Sequence, residues 1–150
     1  MSSIVMYCES MEISMEVGPD IANITDQLAR IAQRAGAENG SLHASVIGST
    51  GSLTTIEYER GVVQDLRRAI TRLAPPDIEY EHEKAWHDGN GHSHVQAALI
   101  GPSVAIPVRH GVLSLGTWQQ VVLINHDNRP RQRRVEVTVI GKNEAQEAQG

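Results

Sequence analysis

Apolar and polar residues alternate near both ends of the chain, and between those stretches the apolar spacing lengthens to that of a helix. Met11, Ile13, Met15 and Val17 alternate with Glu12, Ser14 and Glu16, the period of two that turns one face of a strand inward. The pattern predicts a first strand over residues 4–17, broken by Gly18-Pro19-Asp20. Ile21, Ile24, Leu28, Ile31 and Ala35 recur at helical spacing. That spacing predicts a helix over 20–35, with Asp20 as N-cap and Gly36 as stop.

Leu42, Ala44 and Val46 alternate again as a second strand ending at Gly48. A small polar turn over 49–52 leads into a short extended piece over 53–58. Val62, Leu66, Ala69, Ile70 and Leu73 form the stripe of a second amphipathic helix, ended by Ala74-Pro75-Pro76. Residues 77–91 are periodic in neither sense and predict a long loop. Such loops in compact domains are usually functional or disordered, and the presence of Tyr80, His82, Trp86 and His87 favours function. Residues 95–100 suit a short buried helix that Asn90 can cap.

The last third is β. Val104, Ile106 and Val108 alternate, with Pro107 implying an edge or bulge. A turn at 109–111 precedes Leu113 and Leu115, residues 121–124 are a fully buried run, and 125–132 read as a polar, Arg-rich loop. Val135, Val137 and Val139 mark the final strand. Residues 142–150 are polar and expected to form a disordered tail beyond one domain over 1–141. These elements predict an α+β domain with a mostly antiparallel or mixed sheet, two main amphipathic helices and a short third.

Composition narrows the function classes. A chain of 150 residues fits one domain, burying roughly 70% of its unfolded surface. Thirteen basic and eighteen acidic residues give a net charge of −5, which argues against a general affinity for nucleic acid or anionic membrane. With no Phe, the core must be aliphatic. Cys8 is the only cysteine, which excludes an internal disulfide and a four-thiolate zinc site. It lies on a strand without an activating neighbour. No apolar stretch approaches the roughly 20 residues of a membrane span, and the start lacks a signal-peptide pattern. A cytoplasmic protein is the expectation.

The candidate chemistry centres on His87-Asp-Gly-Asn-Gly-His-Ser-His94. If this segment is extended, His92 and His94 share a face and can grip one metal; at the start of a helix they lie 200° apart and cannot. Imidazole suits zinc and related metals, and Asp88 or Glu57 can complete such a site. Capping or tying down the loop is the structural alternative. Trp118 reads equally as a core ring or a site residue, and Gln119 beside it points to the opposite face. Gly48-Ser-Thr-Gly-Ser52 offers hydroxyls and backbone N–H groups that can cradle an anion, although a plain turn is the simpler reading. Arg129, Arg131, Arg133 and Arg134 form the densest positive patch, suited to a phosphorylated small molecule, to a solvated loop entering an edge strand, or to pairing with acidic groups at a subunit interface.

Taken together, Trp86-His-Asp-Gly-Asn-Gly-His-Ser-His94, Ala97-Ala-Leu-Ile-Gly101, Ile106-Pro-Val108, Leu115-Gly-Thr-Trp-Gln119, Arg131 and residues 135–141 resemble the YjbQ-like family. Its members are commonly named secondary thiamine-phosphate synthase enzymes. The resemblance implies an α+β homotrimer with a polar site near a subunit boundary. The implied activity joins a pyrimidine diphosphate to a thiazole phosphate with release of pyrophosphate. On this reading His92, Glu57 and Trp118 are catalytic candidates. Ser49, Thr50, Asn90, Thr117, Gln119 and Arg131 are binding candidates, and His87, Asp88, His92 and His94 are candidate ligands for a divalent metal, zinc or magnesium. A trimeric binding module without chemistry, or a metal-dependent hydrolase of a phosphorylated small molecule, uses the same residues.

The chain departs from the family pattern. Gly48-Ser49-Thr50 stands where a His-Thr-Ser or His-Thr-Thr motif is usual, and only Glu57 remains of an Asn-Glu-Asn segment. His87-Asp88-Gly89 replaces Gly-Glu-Asp before Asn90. His43 is poorly placed to substitute for the missing histidine, whereas His87 can enter the same cavity.

Overall fold

A computed structural model describes residues 3–143. Eight strands and four helices run in the order β1 (Ser3–Met15), β2 (Asp20–Asn23), α1 (Thr25–Ala35), β3 (Asn39–Val46), β4 (Gly51–Glu57) and α2 (Arg60–Leu73). There follow α3 (Glu81–Trp86), α4 (Gly91–Ile100), β5 (Ser103–Arg109), β6 (Val112–Leu113), β7 (Gln119–Asn125) and β8 (Arg131–Asn143). All pairings are antiparallel. One sheet has the order β1-β8-β3-β5-β6 and the other β2-β7-β4. The expected α+β class holds.

The core forms where α1 and the two sheets meet. Leu28 and Ile31 of α1 pack with Leu42 and Val46 of β3, Leu53 of β4 and Val135 and Val139 of β8. Strand β7 is apolar on both faces, as its unbroken run predicts. Val121 and Leu123 face this core, while Val122 and Ile124 face a second one built with Ile21 and Ile70, against which Ile56, Val63 and Leu66 pack. Helix α2 covers that second core. Glu59 caps it, accepting from the N–H groups of Gly61 (2.7 Å) and Val62 (3.0 Å).

Three expectations need correction. The first helix begins at Thr25, because Asp20–Asn23 pairs with Val122–Asn125 as β2. Ile21 and Ile24 lie three apart, a spacing that also serves a strand feeding two cores, and tertiary pairing overrides the helical reading. Asp20 therefore caps nothing, and its carboxylate accepts from the Glu16 N–H at 2.8 Å. Second, the stretch read as loop contains α3, whose six residues include none that is buried, so no apolar period betrays it. Third, β8 extends to Asn143, with Lys142 paired to Ile4. The remainder of the expected tail, 144–150, lies outside the described residues.

Candidate functional site

Strand β7 ends at Asn125 and runs directly into His126 and Asp127, a polar triplet whose members are buried as completely as the valines before them. Buried polar groups must find partners, and these gather four elements around the β7–β8 turn. Asn125 Nδ2 donates to the carbonyls of Glu16 (2.7 Å) and Arg129 (3.2 Å), while its Oδ1 accepts from Arg133 Nη2 (2.6 Å) and Nε (3.2 Å). Gly18 passes so close that an added Cβ would stand 2.2 Å from the Asn125 carbonyl oxygen.

Asp127 is the hub. Its Oδ2 accepts from Thr50 Oγ1 (2.9 Å), Asn90 Nδ2 (3.2 Å) and Arg131 Nε (3.1 Å), and Oδ1 accepts from the Arg129 N–H (3.1 Å). Burial pushes the carboxyl pKa upward, but the bonds from Thr50, Asn90 and Arg131 together bring it below the ordinary aspartate value. Thr50 spends its single hydroxyl proton on Asp127 and accepts from Arg133 Nη2 at 2.5 Å. The turn thus draws Thr50, Asn90 and Arg131, three expected binding residues, onto one carboxylate.

His126, 1% exposed, has a defined tautomer. Gln96 Nε2 donates to the Ala74 carbonyl at 3.0 Å, which turns Gln96 Oε1 toward His126 Nδ1 at 2.9 Å. Nδ1 must then carry the proton. Nε2 accepts from Ser52 Oγ at 2.7 Å. Burial, reinforced by the Arg133 charge, pushes the His126 pKa down to about 4, so the ring is neutral.

Helix α4 presents the predicted histidines. Asn90 stands at its N-cap position but makes no side-chain cap, since its side chain is committed to Asp127 and to the Asn128 N–H. Glu83 of α3 substitutes, accepting from the N–H groups of Gly89 (2.6 Å) and Gly91 (2.7 Å). Ser93 donates its proton to the His126 carbonyl at 2.6 Å, so any bond across the 3.3 Å to His92 Nε2 is donated by the imidazole. Burial lowers the His92 pKa, against the opposing influence of Glu83 and Asp127.

The helix decides the alternative left open for His92 and His94. His92 turns toward Tyr80, their ring centroids 6.5 Å apart, whereas His94 lies 4.6 Å from the ring of His82. Asp88 accepts from His82 Nε2 at 3.1 Å, and His87 ends α3 as an exposed residue at φ 52°. Among the described residues no three His, Cys, Asp or Glu side chains gather in a group that could hold a metal ion. His87, Asp88, His92 and His94 therefore do not fit the expected metal set within this chain.

The remaining candidates sit elsewhere. Glu57 and Gln119 pair at one end of β4–β7, and Gly51 and Asn125 pair at the other. Six residues at about 3.3 Å each separate these ends by about 20 Å. Trp118 is 72% exposed rather than a core ring, and Thr117 is exposed beside it. Gln119 donates to Thr55 Oγ1 at 3.1 Å and lines a cavity of about 340 Å³ with Thr54, Ser103 and Ile106. One chain thus carries two separated clusters, the Asp127–His92 end and the Trp118–Glu57 end.

Sequence reading missed Asp127, His126 and Gln96, gave Ser93 no role of its own, and noted His82 and Ser52 only as members of their segments. Asn125-His126-Asp127 falls in the stretch the sequence predicts as loop, although three polar residues directly after an unbroken apolar run are the available signal. Ser93 and Gln96, three apart on α4, share its buried face.

Comparison with known proteins agrees with this architecture. The family model described as UPF0047 protein YjbQ-like matches residues 9–142. A UPF0047 protein of Archaeoglobus fulgidus is 33% identical over 132 residues, 87% of this chain and 100% of that protein. The UPF0047 protein YjbQ of Salmonella typhimurium is 32% identical over 79% of this chain and 84% of its own length. The crystal structure of a YbjQ-like protein of unknown function from Sulfolobus solfataricus P2 superposes with a TM-score of 0.88 at 29% identity, covering 93% of this chain and 99% of that one. A hypothetical protein from Aeropyrum pernix K1 gives 0.84 at 29% identity, with 90% and 98% covered. With a family model matched over residues 9–142 and a relative 33% identical over its full length, this chain belongs to the UPF0047 YjbQ-like family.

Proposed function

We propose that the Asp127–His92 end binds a phosphorylated small molecule and that the protein is a transferase of the thiamine-phosphate synthase type. The supporting observation is the cationic surplus around Asp127, where one carboxylate serves Arg131 directly and Arg133 through Thr50. Guanidinium groups oriented in this way suit the charge that develops on a departing pyrophosphate. In the proposed step the thiazole ring nitrogen donates its lone pair to the pyrimidine methylene carbon. The C–O electron pair leaves with pyrophosphate, and no net proton moves. Burial holds His92 toward its neutral form, leaving a ring nitrogen to hold the substrate. No step is assigned to a metal.

Self-association as a homotrimer is part of the same proposal. Met6 and Ile140 are cross-strand partners, and together with Ile4 they expose an apolar patch on the outer sheet face that a second copy would cover. A neighbour would also have to bring Trp118 and Glu57 to the Asp127 end. The separation of these clusters within one chain equally favours a second reading, a binding module without turnover. Incubation with pyrimidine diphosphate and thiazole phosphate, followed by pyrophosphate release, tests the proposal. Release that disappears in His92→Ala supports the transferase, whereas pyrophosphate binding without release supports the module.

A further inference from the structure

Arg133 is 6% exposed, yet it forms no ion pair with a carboxylate among the described residues. Its partners are neutral: Nε and Nη2 donate to Asn125 Oδ1, and Nη2 also donates to Thr50 Oγ1. A guanidinium has five N–H bonds, and the two on Nη1 reach no hydrogen-bond acceptor among the described residues. Nη1 lies over Gly48, where an added Cβ would stand 2.9 Å from it. Gly48 has φ +124°, a backbone region that favours glycine.

The segment beneath Nη1 is equally uncommitted. The Ile47 N–H donates to the Arg134 carbonyl (2.9 Å), and the Thr50 carbonyl accepts from the His126 N–H (2.8 Å), so both ends are anchored. Between them, the N–H groups of Gly48, Ser49 and Thr50 reach no acceptor among the described residues. A run of unused main-chain donors beside an unused guanidinium arm matches an oxyanion with several acceptor oxygens.

We infer that Gly48, Ser49 and Thr50, with Nη1 of Arg133, form an oxyanion subsite that takes the terminal phosphate of a phosphorylated ligand. This rests on the phosphate-ligand reading above and assigns its anion to Arg133 and main-chain N–H groups. Arg131, already engaged by Asp127 and half exposed, lies outside the subsite. Gly48 keeps the arm uncovered, and Ser49 adds an exposed hydroxyl at the rim.

The test is a titration of the isotopically labelled full chain with sodium pyrophosphate and, separately, orthophosphate, read from amide NMR shifts. The Gly48, Ser49 and Thr50 amides and the Arg133 side-chain N–H signals should move together and saturate. Gly48→Ala, checked for native fold by the same spectrum, should weaken binding by about tenfold or more. Shifts confined to Arg131, Arg129 and His92 would overturn the subsite and leave the transferase reading intact. Saturable shifts at 48–50 without pyrophosphate release in the synthase assay would uphold the subsite and remove the transferase reading. No saturable response to either anion would remove the subsite.

Discussion

The Ser52 hydroxyl donates to Nε2 of His126 at 2.7 Å, and neither side chain is exposed to solvent. Gln96 holds the opposite nitrogen, and burial beside the Arg133 charge disfavours a second proton on the ring. Its folded pKa of about 4 lies below the ordinary 6.5, so the unfolded chain binds more protons between those values. The His126 contribution to stability is complete above about pH 6.5 and lost as pH falls toward 4, up to roughly 3 kcal/mol. Urea midpoints measured from pH 7.5 to 4 should fall across that window. His126→Gln should flatten the fall while lowering the midpoint at neutral pH.

Asp127→Ala should cost about 2–4 kcal/mol, because it leaves the buried Thr50 hydroxyl and Asn90 amide without their acceptor. Asp127→Asn keeps an acceptor and should cost less. Chemical denaturation of both variants gives the comparison, and equal losses would show that the carboxylate charge is immaterial.

His92 is half-buried with one long contact, to Ser93, so His92→Ala should change stability by less than about 1 kcal/mol. Its effect on pyrophosphate release should be about a hundredfold or more. Steady-state kinetics beside a melting curve separates the two.

Glu83 satisfies two main-chain donors at the start of α4. Glu83→Ala should cost about 1–2 kcal/mol and loosen the first turn of the helix. Hydrogen exchange at Gly91 and His92 should quicken, while exchange in β3 should not change.

The periodic elements were legible where their apolar faces meet a core: β3 and β8 alternate as read and β1 does so up to Met15, whereas Val17 is exposed beyond the strand, and of the α2 stripe Ile70 is buried and Leu66 half-buried while Ala69 and Leu73 face solvent. β2 was hidden because Ile21 and Ile24 satisfy a helical spacing, and α3 because it buries nothing. The site was legible in part. Asn90, Thr50 and Arg131 do converge, but on a carboxylate assigned to a loop. The carbonyl of His126 and the side chain of Asp127 become visible as partners only when β7 carries its polar end into the interior. The separation of Trp118 from His92 follows from sheet register, which sequence spacing does not encode.

Strand β7 divides its side chains between two apolar layers and then supplies the hub carboxylate. Neither layer can open without exposing half of this strand, and the β7–β8 turn cannot drift while the strand stays paired. The domain should therefore open as one unit, and the rigidity of the Asp127 end is inherited from global stability rather than from the loops that surround it.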